Sequence, residues 1–362
     1  MSTLPFDHAH VLGAGLMGRL LALALARAGC AVDVYEAGGP DAEGAAARVA
    51  AAMLAPLAES AIAPEPLVRM GMHALERWPQ LLAGLPAPVF FQREGTLLVW
   101  HRQDANEAAR LAATLQRTQA AVPGLPAMQR LDGPALAALE PALAGRFAQG
   151  WLLPGEGQLD NRELLAALLA GLQAMPNVRL HWHSPRAPQD FSPAARERVV
   201  DCRGLGAKPQ WDALRGVRGE VLRLHAPGVE LRRPTRLAHP RYPLYIAPKP
   251  GHVFVVGATE IESDDLSPAS VRSTMELLSA AYAVHPGFGE ARILEVLTQC
   301  RPTLPDNRPA LRWLAPRMLQ VNGLYRHGFM ISPAMLDAAM QVLADQGDAL
   351  ARRFDLLILD TP

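Results

Sequence analysis

Six residues constrain this chain more than any other stretch: Gly13-Ala14-Gly15-Leu16-Met17-Gly18. Before them, His8 to Leu12 reads as a short strand. After them, Arg19 to Ala28 is apolar on every face and reads as a buried helix closed by Gly29. Ala31 to Tyr35 is a second apolar strand, and it ends on Glu36, 18 residues past Gly18. A GxGxxG pattern alone says little. Set between a strand and a helix, with an acid closing the next strand, it predicts a dinucleotide-binding βαβ unit. Gly13 permits the tight turn, Gly15 lets a pyrophosphate approach the backbone, and Gly18 lets helix and strand pack closely. The helix N-terminus then faces the phosphates, and Glu36 accepts from a ribose hydroxyl, which argues against a 2′-phosphate and hence against NADP.

Composition narrows the partners. Lys+Arg and Asp+Glu balance at 35 each, which argues against a nucleic-acid footprint and against a polybasic membrane anchor. Nearly all the basic residues are Arg, with Lys only at Lys208 and Lys249. No run approaches the roughly 20 apolar residues that span a bilayer. The first ten residues lack a basic and then apolar leader, so a soluble cytoplasmic protein is expected. Cys30, Cys202 and Cys300 are odd in number without CxxC spacing, so neither a disulfide framework nor a zinc site is expected. The 11 His are scattered without ligand spacing, and no metal is expected.

Further along, residues 37–60 are rich in Ala and Gly, which suits plain helix, tight packing or a backbone pressed against a flat ligand. Helices are expected over about 64–83 and 104–120, and a strand over Val89 to Trp100 after the Pro86 to Pro88 patch. Asp160 opens a helix, with Glu163 completing a capping box before Leu164 to Leu172. These two acids look catalytic by composition, but the cap explains them better. Val199, Val200 and Cys202 form a strand leading into Gly204-Leu205-Gly206. From Val217 to Val256 the pattern turns β-rich, with strands at Val221 to Leu224, Leu244 to Ile246 and Val253 to Val256. Ser267-Pro268 would cap a helix running to about Val284. The tail reads as a strand (Met318 to Val321), a turn bracketed by Gly323 and Gly328, and a helix from about Pro333 to Ala344. An α/β protein is predicted, with a Rossmann-like nucleotide-binding domain of discontinuous segments and an inserted α+β substrate domain built on an antiparallel sheet. The expected division is 1–85, 155–210 and 300–362 for the first, 86–154 and 211–299 for the second.

The nucleotide could be NAD or FAD. An ordinary NAD dehydrogenase continues βαβαβ after Glu36, whereas this chain enters its small-residue stretch and returns with a late strand, turn and helix. In a flavin site that late helix N-terminus would face the N1–C2=O edge, where negative charge develops on reduction. The pattern favours FAD and leaves NAD open.

Seven motifs in order extend the reading: the GxGxxG with Glu36, Ala51-Ala52-Met53-Leu54-Ala55, Val217-Arg218-Gly219-Glu220, Tyr245-Ile246-Ala247-Pro248, Val256-Gly257-Ala258-Thr259, Arg301-Pro302 with Asp306 and Pro309, and Tyr325-Arg326-His327-Gly328. Together they resemble the FAD-dependent D-amino-acid oxidase superfamily, and within it the glycine oxidases of thiamine biosynthesis. The resemblance implies noncovalent FAD and a small amino-acid substrate. It implies hydride transfer to flavin N5, an imine and hydrogen peroxide as products with oxygen as acceptor, and a place in making the thiamine thiazole. It assigns FAD contacts to Gly13, Ala14, Gly15, Leu16, Met17, Gly18, Glu36, Ala51, Ala52, Met53, Gly204, Leu324, Tyr325, Arg326, His327, Gly328, Phe329 and Met330. It also implies that Arg301 pairs with the substrate carboxylate, with Arg326 a second substrate arginine, Tyr245 a pocket phenol and Met53 near the flavin ring. No catalytic acid or base is required. Three positions depart from the pattern: Ala52 replaces a usual Gly, His327 a usual Asn, and Glu260 stands where an apolar residue is common.

Each assignment has a plainer competitor. Arg301 could be a surface arginine, Arg326 could tie its turn together, and Tyr245 could be a core aromatic on an alternating strand. Cys300 sits near where some related amine oxidases tether flavin. The competing functions are a D-amino-acid or sarcosine-type oxidase or dehydrogenase with another acceptor, and a non-catalytic flavoprotein subunit. Oligomeric state, a homo-oligomer included, is open.

Overall fold

The computed structural model describes residues 4–239 and 244–360. The strand His8–Leu12 lies inside a seven-stranded sheet, paired in parallel with Ala31–Tyr35 on one side and Glu197–Asp201 on the other. Val178–His181 extends the first side, and Met318–Asn322 extends the second, both in parallel. Ala310–Ala315 then runs antiparallel to Met318–Asn322 and carries Leu357–Asp360 at the edge. Ala9, Val11, Val32 and Val34 are buried with Leu20, Leu21 and Leu25 of the helix Leu16–Arg27, so the strands' alternation and the helix's apolar surface meet in one core.

A second sheet of nine strands draws on residues 96–153 and 215–303. Its longest pairing is antiparallel, Arg215–His225 against Arg292–Thr303, and it places Arg301 opposite Val217. Thr303 is the last residue of that strand, so the strand bearing Arg301 belongs to the second sheet although the chain then returns to the first. A small three-stranded sheet joins Met53–Leu54, Gly157–Leu159 and Phe91–Gln92.

Several expected boundaries move, each for a visible reason. The single strand over Val89 to Trp100 is two, Phe91–Gln92 and Thr96–Val99, which join different sheets. Asp160 does cap the helix Asn161–Gln173, accepting from the backbone N–H of Arg162 and Glu163. Glu163 does not complete the box: its Oε2 accepts from the Phe90 N–H at 2.6 Å and ties down the loop before the small sheet. Ser267-Pro268 does not cap the following helix. The cap is Ser270, and the helix is Val271–Val284. Arg218, paired with Glu220, also donates to the Asp265 and Pro268 carbonyls, and so holds the 265–268 loop out of helical register.

The last major helix is Gly328–Leu343 and begins five residues before Pro333, where it was expected to start. A proline inside a helix cannot donate to the carbonyl four residues back. Here that orphan is the Phe329 carbonyl, and the indole N–H of the fully buried Trp78 donates to it at 3.0 Å. Leaving such a buried acceptor dry would cost about 1–3 kcal/mol, so Trp78 allows the helix to start at Gly328. No helix among the described residues is long and apolar enough to cross a membrane.

Candidate active site

The fingerprint turn is built as its residue types demand. Gly13 has φ +91°, and a Cβ there would lie 2.8 Å from the Cys202 carbonyl oxygen. A Cβ on Gly18 would lie 1.8 Å from the Gly13 carbonyl oxygen, so these two glycines let helix and strand touch. Gly15 differs: a Cβ there would meet only Ala45 Cβ, at 3.6 Å. Nothing in the fold itself demands glycine at that position. Glu36 reaches back to the turn, accepting from the Ala14 N–H at 2.6 Å and from the Gly38 N–H at 3.0 Å.

From this turn a cavity of about 840 Å³ runs between the two sheets. Its wall includes Gly13, Gly15, Leu16, Met17, Glu36, Ala51, Ala52, Met53, Gly204 and every residue from Leu324 to Met330. Tyr245, Gly219, Arg301 and Cys300 line it as well. Of the eighteen residues expected around the nucleotide, only Ala14 and Gly18 are outside the lining. Ala14 spends its N–H on Glu36, and Gly18 packs on Gly13.

The Ala51–Met53 wall is clamped. Leu159 donates its N–H to the Ala52 carbonyl at 3.1 Å, and Met53 pairs with Gln158. Lys249 Nζ, buried, donates to the Ala51 and Leu159 carbonyls at 2.8 and 2.7 Å and to Gln158 at 3.1 Å. Burial pulls the Lys249 ammonium down to about 7, partly opposed by Asp160. Between these clamps Ala52 adopts φ +52°. That left-handed conformation suits glycine and costs an alanine roughly 1–2 kcal/mol, which accounts for glycine as the usual residue here; nothing in the structure explains the alanine.

Arg301 stands apart electrostatically. Its Nη1 donates only to backbone, the Thr259 carbonyl at 3.2 Å and the Arg218 carbonyl at 3.5 Å, and it has no ion pair with a described carboxylate. Burial draws its pKa below the ordinary value, opposed by the neighbouring Tyr245. Gly219, two residues along from Arg301's strand partner Val217, provides the floor for the guanidinium: a Cβ there would come within 2.3 Å of Nη2. Gly219→Ala should therefore push the guanidinium aside while the sheet and cofactor stay. A misplacement of about 1 Å predicts a loss of about tenfold to a hundredfold in kcat/KM, with flavin content and melting temperature unchanged. Full activity in that variant would mean that the position of Arg301 is immaterial.

Tyr245, on Leu244–Lys249, lies across Gly257, and burial raises its pKa so that the phenol keeps its proton. Arg326 is not free. Its Nε is 3.1 Å from Glu59 Oε2, and its Nη1 is 2.8 Å from Glu260 Oε2. Burial disfavours its charge, but Glu59 and Glu260 outweigh that and hold its pKa above the ordinary value. Glu59 is itself buried, paired also with Arg236, and held well below the usual carboxylate range by Arg326 and Arg236 against the cost of burial. His327 Nδ1 lies 3.3 Å from Glu59 Oε2, and burial lowers the imidazole pKa. Glu59, Arg236 and Lys249 were not anticipated from sequence.

All three cysteines are free. The Cys300 thiol donates to the Ser263 and Asp265 carbonyls at 3.4 Å, and burial raises its pKa, which keeps it protonated. One group with metal-ligating chemistry does assemble among the described residues, His8, His10 and Asp33. Asp33 is already bonded by Arg179, His8 and His181.

The sequence pattern of the DAO family, described as FAD dependent oxidoreductase, matches residues 8–338. The chain belongs to that family. It is thus an FAD-dependent oxidoreductase, and its glycine cradle, Glu36 and the helix start at Gly328 supply the features that a dinucleotide needs. Among DAO-family relatives, a Rhizobium etli protein with the provisional name thiamine biosynthesis oxidoreductase ThiO is 43% identical over 336 residues, 92% of this chain and 96% of that one. The crystal structure of glycine oxidase from Geobacillus kaustophilus shares the fold with a TM-score of 0.80 at 23% identity, over 98% of this chain and 99% of that one. Iminodiacetate oxidase from Chelativorans sp. BNC1 shares it with a TM-score of 0.79 at 19% identity, over 98% of this chain and 100% of the other.

Proposed function

We propose that this enzyme oxidises glycine or a comparably small amino acid at its CH–NH2 bond, in the supply of a thiamine precursor. The observation that carries the reading is Arg301. A guanidinium set in a cavity wall, bonded only to backbone carbonyls, is costly to keep without an anion, and an α-carboxylate satisfies it through a bidentate pair. Bound FAD supplies the two-electron acceptor, re-oxidised by oxygen to give hydrogen peroxide while the amine leaves as an imine. The chain's part is placement and electrostatics. Arg301 fixes the carboxylate and thereby aims Cα, and the protonated Tyr245 phenol beside it can donate to the same group. An amine that arrives neutral needs no base, which accords with the lack of an acid–base pair among these residues. Gly13, Gly15 and the start of Leu16–Arg27 would receive the pyrophosphate, and Glu36, with lone pairs left after its two backbone bonds, a ribose hydroxyl. The first-turn N–H groups of Gly328–Leu343 would face the pyrimidine edge of the flavin, with Ala51 to Met53 along its ring.

The relative from Rhizobium etli supports the thiamine assignment through its name. Purified protein given glycine or sarcosine should release peroxide, and the released cofactor should be FAD. Absence of oxygen uptake across a panel of small amino acids would defeat the substrate assignment.

A further inference from the structure

Arg301 and Arg326 line one cavity, yet only one of them is free to meet an anion. Around Arg326 two carboxylates face two guanidinium groups: Glu59 with Arg236 and Arg326, and Glu260 with Arg326. That quartet sums to zero, and the neighbouring His327 is kept from charging by burial. Arg326 Nε faces Glu59 and Nη1 faces Glu260, so each edge of the guanidinium has one nitrogen engaged and neither offers an incoming carboxylate an unoccupied two-point fork. Tyr325 donates its hydroxyl to Glu260 Oε1 and fixes that carboxylate in place, although the Glu260 side chain is 46% exposed. Among the described residues around Arg301 and Arg326, the uncompensated charge is therefore a single cation, at Arg301.

We propose that Glu260 makes this site selective for amines with one carboxylate, by occupying the guanidinium that a second carboxylate would need. The proposal rests on the reading that Arg301 receives a substrate carboxylate, and it adds what the site rejects. A second carboxylate would have to displace Glu260 from Arg326 or lie unpaired beside Glu59 and Glu260. Like charges brought together in a partly desolvated pocket are strongly disfavoured, and specificity often rests on such a repulsive element. Glu260 is thus a specificity residue that acts through Arg326.

The test uses the FAD-loaded protein and three ether ligands that lack an oxidisable amine, so binding is read from the flavin spectrum or by calorimetry without turnover. Methoxyacetate mimics a one-carboxylate substrate, diglycolate carries the second carboxylate, and diglycolic acid monoamide matches diglycolate in size without the second charge. The native protein should bind the monoamide about as well as methoxyacetate and diglycolate at least about tenfold more weakly. Glu260→Gln removes the charge while its one carbonyl oxygen can still accept from Arg326 and its amide N–H can donate to the Tyr325 oxygen. It should tighten diglycolate about tenfold and leave methoxyacetate within about twofold. Rejection of the monoamide as strongly as diglycolate would show exclusion by size and overturn the proposal. So would equal gains for all three ligands in Glu260→Gln, or no gain for diglycolate. A protein that binds none of the three would sink both this proposal and the reading of Arg301 on which it rests.

Discussion

Arg301→Ala should leave FAD bound and remove most of the activity toward glycine. Losing a charge-assisted, two-point contact to a carboxylate costs about 3–5 kcal/mol, a factor of a few hundred or more in kcat/KM, carried mainly by KM. The fold should tolerate the change, because the side chain's own partners are two backbone carbonyls and Gly219 lies beneath it. Arg301→Lys should recover only part of the loss, since an ammonium cannot reproduce the planar fork. The control is an uncharged alkylamine, which never used the pair and should lose little. Equal losses for glycine and the alkylamine would show that Arg301 supports the cavity and does not read the substrate.

Gly15→Val should empty the protein of flavin without unfolding it. The position has φ −74° and ψ −165°, which any residue adopts, and a Cβ there meets only Ala45 at 3.6 Å. The valine side chain would instead fill the space through which a pyrophosphate approaches the backbone. The expected result is a colourless protein with the secondary structure of the native chain, read from the flavin-to-protein ratio and the circular dichroism spectrum. Normal flavin content would mean that this turn does not hold the phosphates. Gly18→Ala makes the opposite case: its Cβ would lie 1.8 Å from the Gly13 carbonyl oxygen, so fold and cofactor should fail together.

The parts of this protein that were legible in its sequence are those determined by neighbours along the chain. The strands His8–Leu12 and Ala31–Tyr35 stand where alternation and the glycine turn between them place them. The same holds for the helix Glu65–Ala83 and for the strand around Tyr245, whose local patterns are strong. Boundaries slipped where a distant group took over a local one. Glu163 has the right spacing for a capping box, but the Phe90 N–H, 73 residues away, claims its carboxylate. Pro333 reads as a helix start because nothing near it in sequence reveals Trp78. The charged wall of the site was hidden for the same reason. Glu59 meets Arg236 across 177 positions, and neither sits in a recognisable motif. Lys249 was conspicuous only as one of two lysines, and its burial against Ala51 is a property of the assembled sheets. Arg326 was singled out, but its ion pairs with Glu59 and Glu260 depend on side chains that no spacing rule connects.

The indole bond from Trp78 to Phe329 has a consequence for the order of assembly. It joins the helix Glu65–Ala83, made early in synthesis, to the first turn of Gly328–Leu343, made near the end. The turn that it secures belongs to the cavity wall of Leu324 to Met330, and the same cavity is lined by a glycine turn made some three hundred residues earlier. A nascent chain can therefore form the glycine turn, the proposed seat of the pyrophosphate, long before residues 324–343 of the same cavity exist. On that assignment, stable loading of the cofactor waits for residues 324–343, which makes flavin binding a step at the end of synthesis.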